Sequence, residues 1–166
     1  MSSPRPFPFA FELVDYDDPR AAGLRDAMDD EMAVRYRDPD SPVMPEAVRL
    51  ALVVDTVDIR FTVLVLDASD EAVGHAALRL HGGEWEVKRV IVRDDQRGRG
   101  VGRALLVELD RLAIAGGAQR LILQCGDRQP EAVALYTSSG YTPIPVYEPY
   151  LSAIPNSLCF GKAIAT

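Results

Sequence analysis

A strand-like run, Trp85–Val92, is followed closely by Gln96-Arg97-Gly98-Arg99-Gly100-Val101-Gly102-Arg103, and from Arg103 to Ala115 the residues Leu105, Leu106, Leu109 and Leu112 recur at helical spacing. A strand, a glycine-rich bend and a helix in that order leave few folds open. Glycines let the backbone approach a ligand without Cβ interference, and the unpaired N–H groups of the helix's first turn point at the same place. Phosphate oxygens are the natural occupant. Arg97, Arg99 and Arg103 add positive charge there in a chain of net charge -7, which favours an anion site over a basic turn.

Two familiar phosphate loops fail on their own requirements. A Walker A loop needs Gly-Lys-Ser/Thr, and here Arg103-Ala104 follows Gly102. A dinucleotide fingerprint begun at Gly98 wants glycine or alanine at Arg103, and begun at Gly100 it meets Leu105. The loop also comes late, behind three strand-like runs, whereas a dinucleotide fold puts it after the first strand of a βαβ unit.

Those runs, Ile59–Leu66, Ala72–Leu80 and Trp85–Val92, predict an antiparallel meander, with a turn at Asp67–Glu71 and a tight hairpin at Gly82-Gly83. Ahead of them Pro4, Pro6 and Pro8 predict a stiff lead-in over residues 1–10, running into a short strand at Phe9–Val14. A helix is expected from Pro19 to about Arg37, with Leu24, Met28 and Met32 on one stripe, ended by Asp38-Pro39-Asp40-Ser41-Pro42. Pro45 to about Val54 reads as a second helix, although Leu50–Val54 is apolar enough for a strand. Behind the loop helix, which Gly116-Gly117 stops, come a strand at Arg120–Cys125, a helix from Pro130 to about Ser139, a strand region Tyr141–Val146 and a last strand at Ser157–Ile164. This order predicts an α/β (α+β) fold, a mixed sheet with helices packed on its faces.

The 166 residues suit one domain, 1–166. The acidic balance excludes a nucleic-acid partner, which needs a basic surface to displace counterions from phosphates. No apolar stretch approaches the roughly 20 residues of a membrane helix, so no membrane partner is expected. The N-terminus lacks a signal peptide's apolar run, and Cys125 and Cys159 form neither a disulfide framework nor a CxxC pair; both point to the cytoplasm. His75 and His81 lack the neighbours of a metal site, so no metal is expected, and His75 reads as a hydrogen-bonded sheet histidine.

Arg97-Gly98-Arg99-Gly100-Val101-Gly102 matches the Arg/Gln-x-x-Gly-x-Gly/Ala signature of the GNAT N-acetyltransferases, and the chain resembles that family from about Val73 to Phe160. Glu86-Val87-Lys88-Arg89 is similar to the family's Glu-x-Lys-Arg strand. Ala132–Tyr141 is similar to its helix segment with Tyr136, with Tyr141 in place of Phe and Gln129 in place of Asn. The resemblance implies a mostly antiparallel central sheet with a splayed cofactor-binding strand pair, a core at 73–160 that binds cofactor and carries catalysis, and acetyl-CoA as co-substrate. It implies backbone contacts from Ile91 and Val92 to the pantetheine arm, a pyrophosphate held by Arg97, Gly98, Arg99, Gly100, Val101 and Gly102, and a cofactor contact from Gln129. Arg103 is a candidate for one more phosphate contact, or for a surface salt bridge.

For the chemistry, the resemblance implies Glu86 as general base and Tyr136 as the acid that protonates the departing thiolate, with Glu84 in reserve. Strand alternation would put Glu86, Lys88, Val90 and Val92 on one face, and a half-buried Glu86 would have a raised pKa suited to taking a proton. Its alternative is a salt bridge to Lys88 or to an arginine across the sheet. Glu31, Arg35, Tyr36, Tyr147 and Tyr150 fall in regions that frame the acceptor in the family. The implied reaction is direct attack of a small molecule's primary amine on acetyl-CoA. Modification of a protein amine, and acyl-CoA sensing without turnover, stay open; a homodimer is common in the family.

Overall fold

The computed structural model describes residues 8–41 and 43–164, so Pro4 and Pro6 of the lead-in and Pro42 of the helix stop lie outside the described residues. The strands are β1 (Ala10–Val14), β2 (Ile59–Leu66), β3 (Ala72–His81), β4 (Glu84–Val92), β5 (Arg120–Cys125), β6 (Thr142–Ile144) and β7 (Leu158–Ala163). They form one sheet in the order β1-β2-β3-β4-β5-β7-β6. Every neighbouring pair is antiparallel except β4 and β5. The helices are α1 (Pro19–Arg35), α2 (Glu46–Leu52), α3 (Val101–Ala115), α4 (Pro130–Ser138) and the short α5 (Tyr150–Ala153). None of them is long and apolar enough to cross a membrane.

The first helix starts at a side-chain cap. Asp18 accepts the Arg20 amide at 2.9 Å and Pro19 opens α1, where a missing N–H costs nothing. The apolar stripe of α3 puts Leu105, Leu106, Leu109, Leu112 and Ala113 into a core with Val63, Val65, Val73, Leu78 and Val87. On the other face Ala21 and Leu24 of α1 cover Leu64, Leu66 and Ile91. The result is the expected mixed, mostly antiparallel sheet with helices on both faces.

Three expectations are corrected. The helix read over Pro45 to about Val54 is α2, and the strand considered for Leu50–Val54 is not formed: α2 runs to Leu52, with Val53 extended. The strand expected over Tyr141–Val146 is cut to three residues, an edge strand that pairs only with β7 over Thr142–Ile144 and so tolerates Pro143, and the chain then makes α5, which was not foreseen. The third correction concerns β4. His75 faces Ile91 and Ala77 faces Lys88, so Arg89 and Val90 share one partner position and form a bulge. The extra residue reverses the alternation: Val90 and Val92 pack with Val87 against the α3-side core, while Ile91 joins Leu24 on the opposite side. Glu86 and Lys88 therefore do not share a face with Val90 and Val92.

Candidate active site

The parallel pairing of β4 with β5 lasts two residue pairs, Trp85 with Leu121 and Glu86 with Ile122. Beyond it β5 stays with β7 and β4 stays with β3, so the β5-facing edge of β4 is unpaired through Ile91 and Val92. This is the splayed strand pair. A slot with one free strand edge can receive an amide-bearing chain as an added strand.

The slot leads toward the glycine loop. Gly98 and Gly100 hold φ of 76° and 84°, values that favour glycine, and Gly100 starts α3 without a side-chain cap. No amide from Gly98 to Arg103 hydrogen-bonds another described residue; the next one, Ala104, is the first to be satisfied, by Gly100 O at 3.0 Å. Successive free N–H groups at a helix start make an anion cradle. A ligand that joins a pyrophosphate to an arm with amide groups, as coenzyme A does, fits both features.

The side chains of the loop are used unequally. Arg99 bonds Gln96 at 2.8 Å and lies over Phe9, and Arg103 bonds Ser138 at 3.3 Å without any acidic partner, so the salt bridge considered for Arg103 is not formed. Arg97 is turned away from the amides. It pairs with Glu31 of α1 at 2.8 Å and donates to the Val92 carbonyl at 3.1 Å, and its own amide reaches Asp94 O. Glu31 also holds Arg35, which pairs with Glu131 of α4. The Tyr36 hydroxyl accepts from the Arg128 amide at 3.0 Å and from Gln129 at 3.4 Å. Gln129 precedes α4 but makes no side-chain cap bond. Glu31, Arg35 and Tyr36 thus join the end of α1 to the loop and to α4.

Tyr136 is buried against Tyr141 and Phe160. Its hydroxyl bonds no described residue yet is not sealed off as the Tyr141 hydroxyl is. Burial raises its pKa, so the phenol keeps its proton throughout the working range.

Glu86 is wholly buried, not half-buried. Its Oε1 accepts from Arg79 Nε at 2.6 Å, with Lys88 Nζ at 4.0 Å, and its Oε2 accepts from the Tyr147 hydroxyl at 2.6 Å. The salt bridge across the sheet exists, and Arg79 makes it. Lys88 donates to the Tyr150 hydroxyl at 2.7 Å, and loss of water lowers its pKa to about 8 against the pull of Glu86. Tyr147 lines a cleft of about 400 Å³ with His81, Glu84, Arg120, Ile122 and Glu148. His81 Nε2 bonds the Glu148 carbonyl at 2.8 Å. Glu84, the reserve base, pairs with Arg120 at 2.6 Å, which holds its carboxyl below the usual range and leaves it a poor proton acceptor.

Sequence reasoning did not name Arg79, although the signal was present: counting outward from the Gly82-Gly83 turn sets His81 against Glu84 and Arg79 against Glu86. The contact of Tyr150 with Lys88 had no such signal, because it depends on how the segment after β6 folds back.

Comparisons with known proteins agree with this geometry. The model of the acetyltransferase (GNAT) family matches residues 23–141. An IAA acetyltransferase of Azospirillum brasilense is 36% identical over 93 residues, 56% of this chain and 61% of that protein, so the chain spans under two thirds of the relative's length. A Klebsiella pneumoniae structure assigned as an acyl-CoA N-acyltransferase superposes with a TM-score of 0.76 at 25% identity, covering 95% of this chain and 98% of the other. The paia N-acetyltransferase of Thermoplasma acidophilum, solved with coenzyme A, shares the fold with a TM-score of 0.69 at 12% identity, over 93% and 98% of the two chains.

Proposed function

The chain belongs to the acetyltransferase (GNAT) family, and on that premise we propose that it is an acetyl-CoA-dependent N-acetyltransferase that acts on the primary amine of a small molecule. The observation that carries the reading is the free edge of β4 leading toward the uncapped amides of Gly98–Arg103. Those amides would hold the pyrophosphate, with Arg99 and Arg103 able to reach it. The edge at Ile91 and Val92 would hold the pantetheine arm, although one Val92 carbonyl lone pair already serves Arg97.

In the proposed reaction the amine nitrogen attacks the thioester carbon and the C–S bond breaks. Tyr136 gives its proton to the departing thiolate and is reprotonated from solvent, which also takes the second proton that the nitrogen loses as the amide forms. Glu86 collects the proton that the ammonium must lose, and it does so indirectly. With Oε1 held by Arg79 and Oε2 bonded to Tyr147, the carboxylate meets the cleft only through that phenol. Tyr147 accepts the proton on its oxygen as it passes its own to Oε2, a relay that leaves Tyr147 unchanged. Of the two carboxylates at the cleft, Glu84 is paired with Arg120, so Glu148 is the one left to favour a small cation.

The test is a pH profile. Tyr147→Phe and Glu86→Gln should each lower kcat/KM strongly near neutrality and less at high pH, where the free amine is abundant. Tyr147→Phe is the cleaner variant, since Glu86→Gln leaves Arg79 buried without its counter-charge. Wild-type kcat/KM at neutral pH in both variants would end the base assignment. An acceptor KM that rises without a change in profile shape would mean that the pair binds the amine instead.

A further inference from the structure

Arg89 holds a φ of 55°, a left-handed conformation that a residue with a side chain resists. Its carbonyl accepts a hydrogen bond from Nδ1 of His75, on β3, at 2.7 Å. The other ring nitrogen, Nε2, lies 3.0 Å from a guanidinium nitrogen of Arg25. A guanidinium can only donate, so Nε2 is the acceptor and the ring proton sits on Nδ1. Arg25 is fixed in turn: it donates to the Tyr16 carbonyl at 2.6 Å, and its guanidinium carbon lies 3.7 Å from the centre of the Tyr16 ring. His75 is fully buried, and loss of water lowers its pKa to about 4, so the ring stays neutral near pH 7.

A trans peptide unit is planar, and its C=O and N–H point in opposite directions. Holding the Arg89 carbonyl on His75 therefore turns the Val90 N–H away from His75, within the part of β4 that lies beyond the pairing with β5. We propose that His75 is a positioning residue for acetyl transfer: with Arg25 and Tyr16 it holds the Arg89–Val90 peptide of β4 in the orientation that the acetyl donor meets. The inference rests on the acetyltransferase reading above. It assigns a task to a histidine that touches neither the glycine loop nor the Glu86 cluster, and it links the turn before α1 to the slot.

The test compares wild type with three variants. His75→Phe keeps a ring without nitrogens, His75→Asn offers an amide nitrogen in place of Nδ1, and Arg25→Met takes away the donor that holds Nε2. The first readout needs no substrate: nitrogen NMR should show His75 as the neutral Nδ1–H form from about pH 5.5 to 8.5, with the Nε2 resonance moved in Arg25→Met as that nitrogen loses its donor while the Arg89 carbonyl keeps the proton on Nδ1. The second is kinetic. His75→Phe should lower kcat at least about tenfold, as small misplacements near reacting atoms do, while coenzyme A affinity by calorimetry stays within about threefold, and His75→Asn should recover part of the loss. If His75→Phe does not fold, Arg25→Met carries the kinetic comparison. An Nε2–H tautomer in wild type, an unchanged kcat in the folded variant, or kcat and coenzyme A affinity falling together without rescue by Asn overturns the proposal. A wild type that releases no thiol with any amine sinks the acetyltransferase reading instead, and the tautomer together with the Val90 amide shift then decides whether the clamp exists.

Discussion

Tyr136 and Tyr141 are neighbouring buried phenols with opposite circumstances. Neither hydroxyl bonds a described residue; the Tyr141 hydroxyl is sealed in, whereas the Tyr136 hydroxyl is not wholly closed off in a residue that is only 8% exposed. A phenol kept protonated by burial and free of the protein can serve as an acid for a leaving group. Tyr136→Phe should then lower kcat on the order of 10²-fold with coenzyme A affinity nearly unchanged, because a proton delivered only in the transition state acts on turnover and not on binding. Stopped-flow or steady-state thiol release alongside calorimetry checks both halves; turnover within a few-fold of wild type would mean that solvent supplies the proton. Glu86 shows why residue type and position are not enough by themselves. The same carboxylate could be a solvated base or half of a buried ion pair, and Arg79 directly across the hairpin makes it the latter, leaving Tyr147 as its contact with the cleft.

The unit that carries the proposed cofactor site is β4, the glycine loop and α3, and it was the most legible part of the chain. Periodicity gave β2 and β5 to the residue, the Gly82-Gly83 turn fixed the register of β3 on β4, and the leucine stripe set the buried face of α3. The bulge at Arg89 was not legible, because a left-handed arginine has no signature in composition; what holds it is a histidine from β3, a tertiary contact. The segment from Pro145 to Asn156 was equally silent, being turn chemistry and a four-residue helix. At the loop, Gly100→Val is the informative change. A Cβ there meets nothing within 4 Å, so the cost is not a clash but the φ of 84°, which a β-branched residue resists. The loop should leave its cradle shape, and coenzyme A affinity should fall at least about tenfold with the fold retained by circular dichroism. Unchanged affinity would reduce the loop to a turn. Gly102 differs, since a Cβ there would come 3.0 Å from Leu135 and press α3 away from α4.

Across the whole molecule, the net charge of -7 coexists with a local cluster of unbonded amides and arginines, so on the proposed reading an anion would be drawn to one place on an otherwise acidic protein. The same acidic balance suits an amine acceptor, which approaches as an ammonium. The two ligands would then meet where β4 and β5 part, with α1, α4 and the loop tied together through Glu31, Arg35 and Arg97. Coenzyme A binding to the native state alone should raise the melting temperature in proportion to the logarithm of its concentration above Kd. The most direct measurement is thiol release from acetyl-CoA by the purified protein across a panel of primary amines, amino acids, polyamines and aminoglycosides, with the product followed by mass spectrometry. The account predicts amine-dependent thiol release matched by formation of the N-acetylated amine, lost in Gly100→Val and strongly reduced in Tyr136→Phe. Coenzyme A binding with no amine-dependent release from any member of the panel, or release that persists undiminished in both variants, would contradict it.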